Sequence, residues 1–259
     1  MDLEVYTQVK QSVRKLLDIN LDHYKDEQMR RRLDSWLVRS GVPNWTDYFH
    51  RARADSNELS RLRDYLTINV SAFFRDPERW HYLRQNVLPA LLRARPRLRL
   101  WSAGCSIGPE PYSLAMLLEG LSPGRSHYLL ASDLDRGALA KARARGPFTA
   151  DDIQNVAAAE RARYFQAGGP PFFVGETLAR RVEFREQNMV ADKFEQDFDL
   201  IVCRNVVIYF TEAAKAGLYR KFHAALRPGG VLFVGGTEII AHAAEVGFRN
   251  YGISFYQKV

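Results

Sequence analysis

Glu110 closes the turn Trp101-Ser-Ala-Gly-Cys-Ser-Ile-Gly-Pro-Glu110, an odd place for a carboxylate. An apolar run from Leu98 to Trp101 predicts a strand before this turn, and Tyr112 to Leu121 predicts a helix after it. A strand, tight turn and helix in that order open an α/β sheet whose first turn usually holds a small-molecule ligand. Gly104 and Gly108 let the backbone approach such a ligand closely, because no Cβ intervenes. Their spacing is not the G-x-G-x-x-G that cradles a pyrophosphate. An acid at the helix start would repel a pyrophosphate and suits a ligand carrying positive charge. Glu110 either meets such a ligand or only caps the helix.

Further polar residues stand where strands should end. The second strand closes in Ala131-Ser-Asp-Leu-Asp135. An acid at that edge typically accepts hydrogen bonds from ribose hydroxyls, and Asp133 is the better placed; Asp135 suits the cap of the next helix. Asn188-Met189 follows the third strand and is either an ordinary turn or an adenine contact, one residue bonding the amino group and the other packing on the ring. Arg204 and Asn205 break an apolar run at the end of the fourth strand, on the edge that forms the ligand crevice of an open parallel sheet. Ahead of the sheet, Asn69, Ser71 and Arg75 alternate with apolar residues up to Asp76. They form either a locally bonded loop or, at Arg75 beside Phe73 and Phe74, a fixed guanidinium able to orient a carboxylate.

These residues must be positioned by two kinds of structure. Residues 1 to about 90 read as a helical domain with a linker helix: Tyr6, Val9, Val13, Leu16 and Leu17 keep helical spacing, and Asp26 to Arg39 stops at Gly41. Asn44 and Ser56 read as N-caps, and Asp76-Pro77-Glu78 as a helix start. From 91 to 259 strands at Leu98–Ser102, Tyr128–Ser132, Val182–Glu186, Phe198–Cys203, Val231–Val234 and Ile253–Gln257 alternate with helices at Tyr112–Leu121, Arg136–Ala144 and Glu212–Leu226. That alternation implies a mostly parallel sheet covered on both faces. An insert at about 146–181 holds a helix-like stretch, Thr149 to Tyr164, a turn-rich piece and Phe172-Phe173-Val174, which predicts a short antiparallel element.

A chain of 259 residues accommodates one α/β domain and a small helical one. No signal peptide and no membrane-length apolar run is visible. Two cysteines without metal-type spacing fit a reducing cytoplasm, and no metal site is expected. The formal charge of +7 attracts polyanions, whether nucleic acid or an acidic protein surface.

Four ordered blocks covering nearly the whole chain resemble the CheR family of chemotaxis receptor glutamate methyltransferases: Thr67-Ile-Asn-Val-Ser-Ala-Phe-Phe-Arg-Asp76, Trp101 to Ser113, Ala131 to Asp135, and Arg204-Asn-Val-Val-Ile-Tyr-Phe210. The resemblance implies a class I, Rossmann-like methyltransferase sheet, with an N-terminal helical domain and an inserted antiparallel subdomain. It implies S-adenosylmethionine as cofactor, contacted by Asn69, Ser71, Arg75, Glu110, Asp133, Asn188, Met189, Asn205 and Val206. Arg75 and Tyr209 would also face the reacting carboxylate. Ser71, Ile107 and Pro109 depart from the family's threonine, threonine and glutamate; serine keeps a hydroxyl, Ile107 loses one, and Pro109 spares Glu110.

A glutamate nucleophile is already ionised at neutral pH, so the absence of a Ser/His/Asp set is expected. The expected partners are acidic receptor helices, met by Lys25, Arg30, Arg31, Arg32 and Arg39 on or beside the second helix, which otherwise form a solvated face. The insert either docks a receptor tail peptide along Phe172-Phe173-Val174 or packs on the main domain. A monomer acting in the cytoplasm is expected. Three rivals remain. A methyltransferase for RNA or a small molecule would suit the charge, but the chain lacks the Asn/Asp-Pro-Pro-Tyr/Phe turn of base-amine methylation. A non-catalytic adenosylmethionine-binding regulator sits poorly with Arg75, Glu110 and Tyr209. A nicotinamide dehydrogenase fails on the glycine spacing.

Overall fold

The computed structural model describes residues 1–67 and 71–259, without the Ser56 side chain. The chain forms two compact units, Met1–Ile68 with Ile208–Ala216, and Asn69–Val207 with Gly217–Val259.

The first unit is built on four helices, α1 (Leu3–Leu17), α2 (Asp26–Ser40), α3 (Trp45–Ala54) and α4 (Ser56–Leu66). Tyr6, Val9, Val13 and Leu17 form the buried stripe of α1. Gly41, at φ +66°, ends α2 in the left-handed conformation that glycine adopts without strain. Asn44 caps α3 through its side chain. The cap of α4 is Asp55, whose carboxylate accepts from the Asn57 amide at 2.9 Å, one residue before the expected Ser56. The segment 208–216 joins this unit through backbone bonds: Lys25 N–H donates to Tyr209 O at 3.0 Å, and Thr211 N–H to His23 O at 2.8 Å.

The second unit carries a seven-stranded sheet in the order β3-β2-β1-β4-β5-β7-β6. The strands are β1 (Arg99–Ala103), β2 (Tyr128–Asp133), β3 (Glu183–Glu186), β4 (Phe198–Cys203), β5 (Leu226–Val234), β6 (Phe248–Gly252) and β7 (Phe255–Lys258). The first five pair in parallel; β7 lies antiparallel to β5, and β6 to β7. Every residue of β4 is buried, as a central strand covered on both faces requires. The strand order reverses between β1 and β4, so their carboxyl ends flank the switch-point crevice.

Helices α5 (Pro77–Tyr82) and α6 (Leu88–Ala94), joined through a π-helical turn at Leu83–Val87, belong to this unit. Trp80, Leu83, Val87, Leu88 and Leu91 share its core with Leu100, Val202 and Phe233 of the strands. The first helix after β1 is α7 (Pro109–Leu121), and α8 (Arg136–Arg143) follows β2. Two short helices, α9 (Ala158–Tyr164) and α10 (Glu176–Ala179), lie between α8 and β3. The helix expected from Thr149 is confined to α9, because Asp152 accepts from both the amide and the hydroxyl of Thr149 and fixes a turn instead. The antiparallel element there consists of two isolated bridges, Phe148 with Phe172 and Phe165 with Val174. A long helix, α11 (Glu212–Ala225), leads into β5. Among the described residues, no helix is long and apolar enough to cross a membrane.

Candidate active site

The floor of the crevice is backbone. Gly104, at φ +80°, follows β1, and its N–H donates to Ser132 O at 2.8 Å. A Cβ placed on Gly104 would stand 2.6 Å from Val206 Cγ2 and 3.6 Å from Met189 Cε. Three residues from three different strand ends therefore converge on one point, and only glycine leaves room between them. Next to it the buried Ser106 hydroxyl has no hydrogen-bond partner among the described residues.

Asp133 accepts from the Ser106 amide at 2.7 Å and from the Asp135 amide at 2.9 Å, which fixes its carboxylate at the end of β2. Burial raises its pKa from the ordinary carboxylate value, against the pull of these amides. Asp135 caps α8, accepting from Ala138 N–H at 2.9 Å. Asn188 Oδ1 accepts from the Val190 and Ala191 amides at 3.1 and 3.3 Å, so its carbonyl oxygen shapes the turn that carries Met189.

Glu110 is buried in the first turn of α7. Ser102 Oγ donates to its Oε1 at 2.8 Å, and Arg204 Nη1 stands 3.8 Å from its Oε2. Burial pushes its pKa up to about 7, while Arg204, Ser102 and Arg75 hold it down. Arg204 is itself almost fully enclosed, its guanidinium lying over the Phe233 and Trp80 rings. Its Nη2 donates to Asp76 Oδ2 at 2.6 Å and to the Arg75 carbonyl at 2.8 Å.

Arg75 stands between two left-handed residues, Phe74 at φ +49° and Asp76 at φ +60°. Such backbone costs about 1 kcal/mol or more per residue and persists only where neighbours enforce it. Here they do: Trp80 Nε1 donates to Arg75 O at 2.9 Å, Arg204 adds its bond, and Phe74 N–H donates to Ser113 Oγ at 3.1 Å. Asp76 pairs with Arg204 and makes no side-chain cap for α5, contrary to the expected cap. Ser71 is half-buried, and Asn69 lies outside the described residues.

Glu110, Asp133, Met189 and Val206, expected in one crevice, lie after the carboxyl ends of β1, β2, β3 and β4 in the second unit. Tyr209 belongs to the first unit and is described with it. Two residues missed by sequence reasoning organise the site: Ser102, which bonds Glu110, and Glu238, which accepts the amides of Asn205 and Val207. Glu238 had a weak signal, an acid after the glycine pair that ends β5.

Of the five basic residues expected to meet a partner, three lie against internal aromatic rings. Arg32 donates to the Tyr65 carbonyl and lies over the Tyr65 ring, and Arg30 lies over the Tyr6 ring. Arg39 is also beside the Tyr65 ring. Arg31 is exposed and pairs with Glu27 at 2.8 Å. The Lys25 amide holds the Tyr209 segment.

A doubly covered sheet with this switch point, a glycine floor and an acid after β2 is the framework of an S-adenosylmethionine-dependent methyltransferase. The residues fit that cofactor: a Ser106 hydroxyl with no hydrogen-bond partner among the described residues, and a buried carboxylate at Glu110 suited to a cationic group. The CheR methyltransferase SAM-binding domain matches residues 69–255, and the CheR all-alpha domain matches residues 4–67. This chain belongs to the CheR methyltransferase family. A chemotaxis protein methyltransferase of Listeria monocytogenes is 40% identical over 99% of this chain and 98% of its own length. A probable chemotaxis protein methyltransferase of Rhizobium etli is 34% identical over 92% of this chain and 94% of its own. Among solved structures, SAM-bound CalS10, an amino pentose methyltransferase from Micromonospora echinaspora, is 21% identical and aligns over 60% of this chain and 50% of its own, with a TM-score of 0.36.

Proposed function

We propose that this methyltransferase esterifies glutamate side chains on the cytoplasmic helices of chemoreceptors. The observation that carries the reading is the treatment of Arg75. Its backbone carbonyl is fixed by Trp80 and Arg204 between two left-handed residues, and its positive charge acts on the Glu110 carboxylate. A guanidinium held this way is suited to align a carboxylate. Near-full-length likeness to chemotaxis protein methyltransferases supports a receptor as the source of that carboxylate.

The division of labour follows from the residues. Bound S-adenosylmethionine supplies an electrophilic methyl group on a sulfonium. Glu110 would bind the amino group of its amino-acid end, Asp133 the ribose, and Asn188 and Met189 the adenine, while Ser71, Asn205 and Val206 would complete the enclosure. Arg75 would hold the substrate oxygen in line. The nucleophile needs no base, because a glutamate with a pKa near 4.3 is ionised at neutral pH. Alignment and exclusion of water then supply most of the acceleration. Arg31 and its basic neighbours on α2 would draw in the acidic receptor helices.

The deciding experiment incubates the protein with methyl-labelled S-adenosylmethionine and receptor cytoplasmic domains. Base-labile label on receptor glutamates is expected. Label transferred to RNA, with none on receptor, would replace this reading by nucleic-acid methylation.

A further inference from the structure

We propose that Glu238 is the positioning residue that shapes the cofactor-facing turn Arg204–Val207; the inference rests on the adenosylmethionine reading of this crevice. The Glu238 side chain is buried on the loop after β5, the strand next to β4. Its Oε2 accepts from the Asn205 amide at 2.9 Å and from the Gly235 amide at 2.6 Å, and its Oε1 accepts from the Val207 amide at 3.1 Å. One carboxylate thus ties the ends of two adjacent strands through three backbone donors.

The turn needs this tie. Asn205 sits at φ +58°, a left-handed conformation that asparagine adopts more readily than most side chains but that still leaves its neighbouring amides to be satisfied. Left alone, the amides flanking it would seek other partners and the backbone would relax toward ordinary geometry. Holding the amides on both sides of Val206 fixes where that side chain lands, and it lands against Gly104. Gly235 is part of the same device. A Cβ there would meet Glu238 Oε2 at 2.6 Å and the Asn205 nitrogen at 2.9 Å. Glutamine cannot substitute for the acid. Its amide group would set a donor against at least one of the three N–H groups.

The test is a calorimetric cycle with S-adenosylhomocysteine on the full chain. Glu238→Gln should weaken binding about tenfold, the effect of a lost charge-assisted bond. Asn205→Ala should weaken it as well, and in the double variant the second change should add less than about twofold. Glu238→Gln paired with Asp133→Asn, at a different strand end, should multiply instead. Wild-type affinity in Glu238→Gln, or multiplying losses with Asn205→Ala, overturns the proposal. If Glu238→Gln does not fold, amide hydrogen exchange on the unaltered protein decides: protected amides at Asn205, Val207 and Gly235 support the tie, and fast exchange at all three overturns it. No heat from the unaltered chain overturns the cofactor reading and this proposal with it, whereas good binding with multiplying losses overturns this proposal alone.

Discussion

Arg204 Nη1 stands 3.8 Å from Glu110 Oε2, close enough to act on the carboxylate through its charge and too far for a direct hydrogen bond. The same guanidinium reaches Asp76 at 2.6 Å. The acid of the glycine turn is therefore steadied by a cation whose tighter partner lies on the Arg75 segment. Arg75 adds its charge to that of Arg204 on the same carboxylate.

This arrangement sets a pH dependence. Burial raises the Glu110 pKa from 4.5 to about 7. If Glu110 takes the cofactor's amino group as proposed, affinity for S-adenosylhomocysteine should fall as pH drops below about 7, because the cation binds the ionised carboxylate. Calorimetry from pH 5.5 to 8.5 reads this, and Arg204→Gln should move the midpoint upward. The ligand-free protein responds in the opposite sense. A carboxyl group with a raised pKa in the folded state contributes its full stability below about 4.5 and loses it as pH rises to about 7. Glu110→Gln should remove that part of the stability profile.

Gly104→Ala should abolish cofactor binding and destabilise the fold by about 1–3 kcal/mol, because the added Cβ meets both positive φ and Val206. Adding Val206→Ala clears the 2.6 Å contact and leaves the backbone strain. The double variant should recover part of the stability in urea titrations and none of the tight binding.

Arg75→Ala should lower turnover by roughly a hundredfold or more, with the fold intact. The segment is anchored by its carbonyl, which alanine keeps. Single-turnover methylation together with thermal unfolding separates the two effects. Unchanged turnover would remove Arg75 from the mechanism.

Charge reversals on α2 should divide by environment. Arg31→Glu, at an exposed position, should raise the Michaelis constant for receptor and weaken its salt dependence, with little effect on stability. Arg32→Glu removes the donor to the Tyr65 carbonyl and should cost about 1–3 kcal/mol. Receptor-dependent kinetics at two salt concentrations and denaturant midpoints measure both.

The parts of the fold carried by local chemistry were legible. The glycine turn, the Asp135 cap and the buried run of β4 follow from composition at short range. Elements decided by side-chain competition were not. Thr149 and Asp152 close a turn where periodicity suggests helix, and Asp76 gives its carboxylate to Arg204 instead of capping α5. The strand β6 escaped because Phe-Arg-Asn-Tyr-Gly buries only Phe248 fully and shows little alternation. In the crevice, Glu110 and Asp133 stood out as acids at strand and helix ends. Glu238 did not, since two of its three bonds run to backbone about thirty residues away, and no spacing rule announces such partners.

The double anchoring of the Arg75 carbonyl makes position 75 an interchangeable tool-holder. Lysine, glutamine or a non-natural amino acid at this position would keep the same backbone bracket. The electrostatic demand of the transfer step can then be titrated one functional group at a time.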